Sequence, residues 1–178
     1  ITVNLDGGLH PQSWYTWGPA LDVLQSNNYY EVRLRDAYWF YPNLIPLYRN
    51  AKHSYAVART GSIAAAPNPF NHILYSCKWK CNNDEYCGSH LDETGPFPTP
   101  ASKRIETYYS LAGGSKGLCY WWFTGGSPSF GLKRDSEGAP LWKEIGLYGN
   151  EIRTARDLII RNTPISMPIT PNSPYIWA

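Results

Sequence analysis

Pro98 to Asn162 constrains the fold more than any other stretch of the chain. It reads helix, glycine stop, aromatic strand, loop, long helix. Thr99 can cap free N–H groups, and Pro100 suits the first helical position, where its missing N–H would have no partner anyway. Ile105, Tyr108 or Tyr109, and Leu111-Ala112 recur at helical spacing, and Gly113-Gly114 ends the run. The next segment, Gly117 to Phe123, is apolar and aromatic enough to predict a buried strand. Pro140 opens a second helix whose residues Leu141, Ile145, Tyr148, Ile152, Ala155 and Ile159 form one apolar face. Helix, strand and helix with short joins predict a parallel α/β sheet, and such sheets bind ligands at the carboxyl ends of their strands.

The same reading extends toward the amino terminus. Strands are predicted at about 1–5, 20–26, 72–77 and 117–123. A helix is predicted from Leu44 to about Thr60, with Leu44, Leu47, Tyr48, Ala51, Tyr55 and Ala58 on one face and Gly61 as its stop. Four parallel strands with crossover helices make either half of an eight-stranded barrel or a small open sheet. Loops after the strands are long and aromatic, as expected of a barrel whose working face lies at the strand carboxyl ends.

Charge and composition narrow the function. The net charge is +2, from 16 basic and 14 acidic residues, which argues against a nucleic-acid or membrane-surface partner. No run of 18 apolar residues occurs, so no membrane span is expected. The unusual counts are 8 Trp and 14 Tyr. Each joins a flat apolar face to a polar edge, which suits the stacking faces and hydroxyls of sugars, though cores and subunit contacts use the same residues.

The predicted domain, residues 1–162, begins inside a strand, and 163–178 is a Pro-rich segment that reads as a linker toward a following domain. Both ends look cut, and a signal peptide is expected to have been removed with upstream sequence. The expectation is a secreted or extracytoplasmic piece of a longer polypeptide.

Thr99-Pro100, then Tyr108-Tyr-Ser-Leu-Ala-Gly-Gly-Ser-Lys-Gly-Leu-Cys-Tyr-Trp-Trp122, resembles the last barrel unit of clan A glycoside hydrolases, especially the family 42 β-galactosidase-like group. Gly131-Leu132, Gly138-Ala-Pro140 and Trp142-Lys-Glu-Ile145 continue the likeness, and Ala20-Leu-Asp-Val23 with Tyr29 resembles the sixth strand. The resemblance implies the C-terminal half of a (β/α)8 TIM-type barrel, strands five to eight, acting on a carbohydrate.

Retaining glycosidases need two carboxyl groups flanking the scissile bond. The resemblance places the acid/base after strand four, which this chain lacks, and the nucleophile at the end of strand seven. That strand ends Tyr75-Ser-Cys-Lys-Trp79, without Asp or Glu. Asp6, whose plainer reading is a turn residue before Gly7-Gly8, and Glu85 are the catalytic candidates. Trp14, Trp17 and Trp39, expected in strand-end loops, are candidates for exposed stacking. Asn27, Asn28 and Tyr29 at a strand end could bind hydroxyls or cap the loop. Trp121 and Trp122 must point to opposite faces, so one alone can be a sugar platform, and Trp122 is the candidate.

Cys77, Cys81 and Cys87 have the spacing C-x3-C-x5-C, with His90 nearby, which is no standard zinc pattern. A Cys81–Cys87 disulfide in an oxidising compartment is the simpler expectation, and Cys119 reads as a buried thiol. No metal or other cofactor is expected. The rival to a hydrolase is a non-catalytic assembly or carbohydrate-binding subunit. A half barrel has two open edges and an uncovered face, so it should pair with the rest of a longer chain, another copy or another subunit.

Overall fold

The computed structural model describes residues 1–5, 12–27, 47–79, 97–121, 123, 129–132 and 136–161. In chain order the elements are β1 (Thr2–Asn4), α1 (Gln12–Trp17), β2 (Val23–Ser26), α2 (Leu47–Ala65), β3 (Phe70–Tyr75) and β4 (Lys78–Trp79). There follow α3 (Pro100–Ala112), β5 (Gly117–Trp121), β6 (Ser129–Phe130), α4 (Ala139–Thr154) and α5 (Arg156–Arg161). β1, β2, β3 and β5 form an all-parallel sheet in that order, with crossover helices between them. β4 and β6 form a separate antiparallel pair just beyond the carboxyl ends of β3 and β5.

The sheet is singly wound. Leu24, Phe70, His72 and Leu74 point to one face and are buried there. α2 packs on β2 and β3, α3 packs on β3, and α1 to α4 pack side by side in chain order. On the other face Asn4, Cys119 and Trp121 are exposed, Val23, Gln25, Asn71 and Ile73 are half-buried, and Tyr75 is buried. Helices on one face and sequential strand order are consistent with half of a (β/α) barrel, not a doubly wound sheet.

The register agrees with that geometry. Thr2 stands level with Val23, Leu24 with Phe70, and Asn71 with Gly117. Carried across the sheet, the middle of β5 lies about three residues nearer the carboxyl end than the middle of β1. That is about one residue per inter-strand step, the stagger that a closed barrel of about eight strands and shear of about 8 requires.

Two hydrophobic clusters hold the layers. The first joins Trp14, Leu24, Val57, Ala58, Ala64, Ala65 and Phe70. The second joins Leu132, Leu141, Ile145 and Tyr148, with Phe97, Tyr120 and Ile152 against it. The apolar face predicted for α4 is therefore the buried one, although the helix breaks at Ala155 and resumes as α5.

Gly61 is not a stop. α2 runs through it to Ala65, and its value lies in its missing side chain: a Cβ there would sit 2.4 Å from the Phe70 ring. Gly113-Gly114 does end α3, for two different reasons. A Cβ on Gly113 would meet Ala58 and the Tyr55 carbonyl of α2, both at 2.7 Å, whereas Gly114 has φ 107°, a conformation that favours glycine.

α3 starts as predicted, with Thr99 Oγ1 accepting a hydrogen bond from the Ser102 N–H. Its buried face is not the predicted one. Ser102, Lys103, Glu106, Thr107 and Ser110 are buried, while Tyr108 and Ala112 are exposed. Polar partners make this possible. Lys103 pairs with Glu106, Thr107 Oγ1 meets the Tyr120 hydroxyl at 2.8 Å, and His72 Nδ1 meets Ser110 Oγ at 2.8 Å. A buried polar group that finds a partner avoids most of its desolvation cost, so a helix can bury its hydrophilic stripe.

Gly61→Ala should destabilise the fold by about 1–2 kcal/mol, because displacing a packed ring outweighs the gain in helix propensity. Urea unfolding measures this, and an increase in stability would contradict the packing. Glu106→Ala removes the carboxylate that the buried Lys103 ammonium pairs with and should cost about 3–5 kcal/mol. Replacing both partners at once, Lys103→Met with Glu106→Leu, should cost distinctly less.

Candidate functional site

The carboxyl ends of the strands carry an unusual mixture of groups. None of the four strands of the main sheet ends on Asp or Glu: β1 runs into Leu5, β2 into Asn27, β3 into Ser76-Cys77 and β5 ends at Trp121. The backbone N–H of Ser76 donates to the carbonyl of Trp121, which carries the β3–β5 ladder one step further. The hydroxyls of Ser26 and Ser76 and Asn27 Oδ1 are buried without a hydrogen-bond partner. Ser26 is level with His72, so its hydroxyl lies on the helix-facing side of the sheet, and buried atoms of this kind normally find a partner, water included.

Aromatic rings crowd the end of β5 and the start of α4. Trp121 is 39% exposed on the open sheet face, Phe123 is 40% exposed and Trp142 is 49% exposed. The Phe123 and Trp142 ring centroids are 4.7 Å apart, inclined at 45°. A row of amides crosses the same open face. Asn4 is level with Gln25, Gln25 with Asn71, and Asn71 with Gly117. Gly117 leaves room for the Asn71 amide, whose Oδ1 would lie 2.4 Å from any Cβ placed there.

Lys78, just past β3, reaches across to Glu137 at 3.2 Å, and its Nζ lies 5.5 Å from the centre of the Phe97 ring. This ties the start of β4 to the turn before α4. Behind the aromatics, α3 and α4 are clamped together. Arg104 makes two bonds to the Glu151 carboxylate, at 2.7 and 2.9 Å, and the Tyr108 hydroxyl donates to the same carboxylate. The Tyr108 and Arg104 hydrogen bonds hold the Glu151 carboxyl below the usual carboxylate range. Tyr148 donates to the Pro100 carbonyl at 2.6 Å, and burial pushes its phenol up to about 12.

The residues singled out in the sequence fall in three groups. Asp6, Asn28, Tyr29, Trp39, Cys81, Glu85, Cys87 and Trp122 lie outside the described residues. Asn27 stands at a strand end, as predicted. Trp14 and Trp17 do not stand where a stacking platform should. Trp14 lies in α1, not a loop, and is 2% exposed, with its ring centroid 5.8 Å from that of Phe70. Trp17 is 58% exposed, but the next residue, Gly18, packs against Ala64 and Ala65 at the end of α2. That is the amino end of the sheet. Proximity of Trp14-x-x-Trp17 to a strand end in sequence misled because the intervening turn forms a short helix.

Sequence reasoning missed Trp142, hidden inside a helix start, and the amide row, which needs strand register to be seen. It also missed that Trp121 faces the open side. Cys119, expected to be buried, is exposed on that same face, because β5 is the sheet's last strand among the described residues. Partial burial still pushes its thiol up from the ordinary value. Cys77 is buried. Among the described residues no group of three His, Cys, Asp or Glu could hold a metal, and no helix is long and apolar enough to cross a membrane.

Comparison with models of known protein families, with curated proteins and with solved structures found no match.

Alkylation of the native protein should modify Cys119 well before Cys77, and Cys119 only slowly at neutral pH because its thiolate is scarce. Mass spectrometry of the two peptides reads the order. Equal rates would contradict the burial of Cys77 at the end of β3.

Proposed function

We propose that this chain is a carbohydrate-active, glycoside hydrolase-like protein of the (β/α) barrel type, secreted, that holds a glycan at the carboxyl ends of its strands. One observation carries the reading: the exposed rings of Phe123 and Trp142 pack together just past the end of β5, the strand whose last residue, Trp121, is also exposed. Sugar C–H faces stack on such rings. The amides of Asn4 and Gln25, near the carboxyl ends of β1 and β2, are suited to bind hydroxyls. The glycosidase pattern in the 98–162 segment supports the same reading. Hydrolysis would call on Asp6, Glu85 and groups of a preceding half barrel, with one carboxyl as acid/base and the other as nucleophile. No cofactor enters this chemistry.

A second reading is favoured by the absence of Asp or Glu at the described strand ends. In it the protein is a non-catalytic structural or carbohydrate-binding subunit, paired through its open edges with another copy or subunit.

The natural polypeptide should bind an oligosaccharide from a glycan array, and Trp121→Ala and Trp142→Ala should each weaken that binding by about tenfold or more, in line with the loss of an aromatic platform. Intact binding in both variants would refute the site. A panel of nitrophenyl glycosides separates the two readings: turnover favours the hydrolase, and binding without turnover favours the subunit.

A further inference from the structure

A cleft of 270 Å³ lies beside β5, on the helix-facing side of the sheet. Leu111 of α3, Leu118 and Tyr120 of β5, Ile145 and Ile152 of α4 and Ile159 of α5 form its apolar wall. The register sets the side: Leu118 is level with His72 and Tyr120 with Leu74, both buried under the helices. The cleft continues the second hydrophobic cluster. Ile145 belongs to that cluster, and Tyr120 and Ile152 pack against it. Leu111, Leu118 and Ile159 carry the wall outward and are half-buried. Apolar surface that still faces water gains when another apolar group covers it.

The polar side chains along the wall are already engaged. The Tyr120 hydroxyl meets Thr107 Oγ1 at 2.8 Å, and Lys116 Nζ donates to the Ile159 carbonyl at 2.6 Å. Arg153 donates back to the Gly149 carbonyl at 3.2 Å, and Arg156 has the Asp157 carboxylate 3.4 Å away. A charged ligand would have to compete with these partners, and it would lose its water for little in return. Gly149 supplies no side chain to the wall, so the backbone of α4 forms that part. A Cβ placed there would meet nothing nearer than the Arg153 guanidinium, at 3.8 Å.

We infer that this cleft binds a neutral apolar molecule of two fused rings, seated between β5 and α4. Three observations set its chemistry. The wall is aliphatic, so the ligand is apolar. The cations are engaged, so it carries no charge. The volume sets its size: a protein cavity of about 150 Å³ lined by Leu, Ile and Phe stays dry and binds benzene, and this larger cleft has room for a second ring. A rigid ring system also loses less freedom on binding than a chain of equal area. The site is independent of the carbohydrate reading, because Trp121 points to the other face of the sheet.

The test is NMR titration of the natural polypeptide, isotope-labelled at its Leu and Ile methyl groups, with naphthalene below its solubility limit and with naphthoate beside it. Naphthalene should shift the methyl signals of Leu111, Leu118, Ile145, Ile152 and Ile159 and leave Leu24, in the first cluster, unmoved. Naphthoate should bind at least about tenfold more weakly. Gly149→Met puts a flexible apolar side chain into the cleft and should weaken naphthalene by about tenfold or more. Its thermal transition should stay or rise, since Met is the better helix former. No naphthalene binding, naphthoate binding as tightly, shifts confined to other methyl groups, or full affinity in a folded Gly149→Met variant would each overturn the inference. If that variant fails to fold, the shift map and the two-ligand comparison on the unmodified protein still decide the matter.

Discussion

The rest of the fold depends on the ring of Phe70. It stands at the start of β3, is almost wholly buried, and is reached from three directions. Trp14 of α1 lies against it, Gly61 of α2 gives it room, and its carbonyl accepts the Lys116 N–H that leads into β5. Burying a Phe is worth about 1.5–3 kcal/mol by area alone, but the larger effect is positional. A helix with a side chain at position 61 could not come this close to the sheet. The same device recurs where Gly113 lets the end of α3 touch Ala58 and the Tyr55 carbonyl. Close approach at two glycines keeps the described helices in one layer on one side of the sheet.

The second constraint is the polar layer under α3. Most crossover helices bury an apolar stripe, and this one buries Ser102, Lys103, Glu106, Thr107 and Ser110. The sheet side answers in kind, with His72 facing Ser110 and Tyr120 facing Thr107. Both sheet residues belong to the helix-facing rows that Leu24, Phe70 and Leu74 otherwise fill with apolar groups. Matched hydrogen bonds are more directional than hydrophobic contacts. They fix the rotation of α3 about its axis, and with it the position of Tyr108 and Arg104 against Glu151 of α4.

Much of this was legible in the sequence where one physical signal acted alone. Thr99-Pro100 announced α3, Gly114 ended it, and the apolar face of α4 was read correctly. The all-parallel α/β class followed from the alternation of helix and strand. The failures have one cause in common: partners distant in sequence. Gly61 read as a stop because local propensity says so, but Phe70 decides its role. The apolar residues of α3 read as its core face because nothing local reveals that His72 and Tyr120 wait opposite. Trp14 looked available for stacking until the short helix turned it toward Phe70. Cys119 looked buried because its strand is apolar, and strand composition does not say which strand lies at the margin of a sheet.

The two ends of the sheet are chemically unlike, and strand direction is the reason. At the carboxyl ends the described residues include the exposed rings of Trp121 and Phe123 and the buried, unpartnered hydroxyls of Ser26 and Ser76. At the amino ends the helices arrive, and α2 and α5 bring Arg59, Arg156 and two isoleucines to the margin. Neither surface serves the packing of the core: Phe123 and Trp142 are half exposed, and Arg59 makes no ion pair among the described residues. The core is already held by Phe70, by the α3 polar layer and by the Leu141–Ile145–Tyr148 cluster. With stability met elsewhere, the exposed residues at both ends of the sheet are free of the demands of core packing.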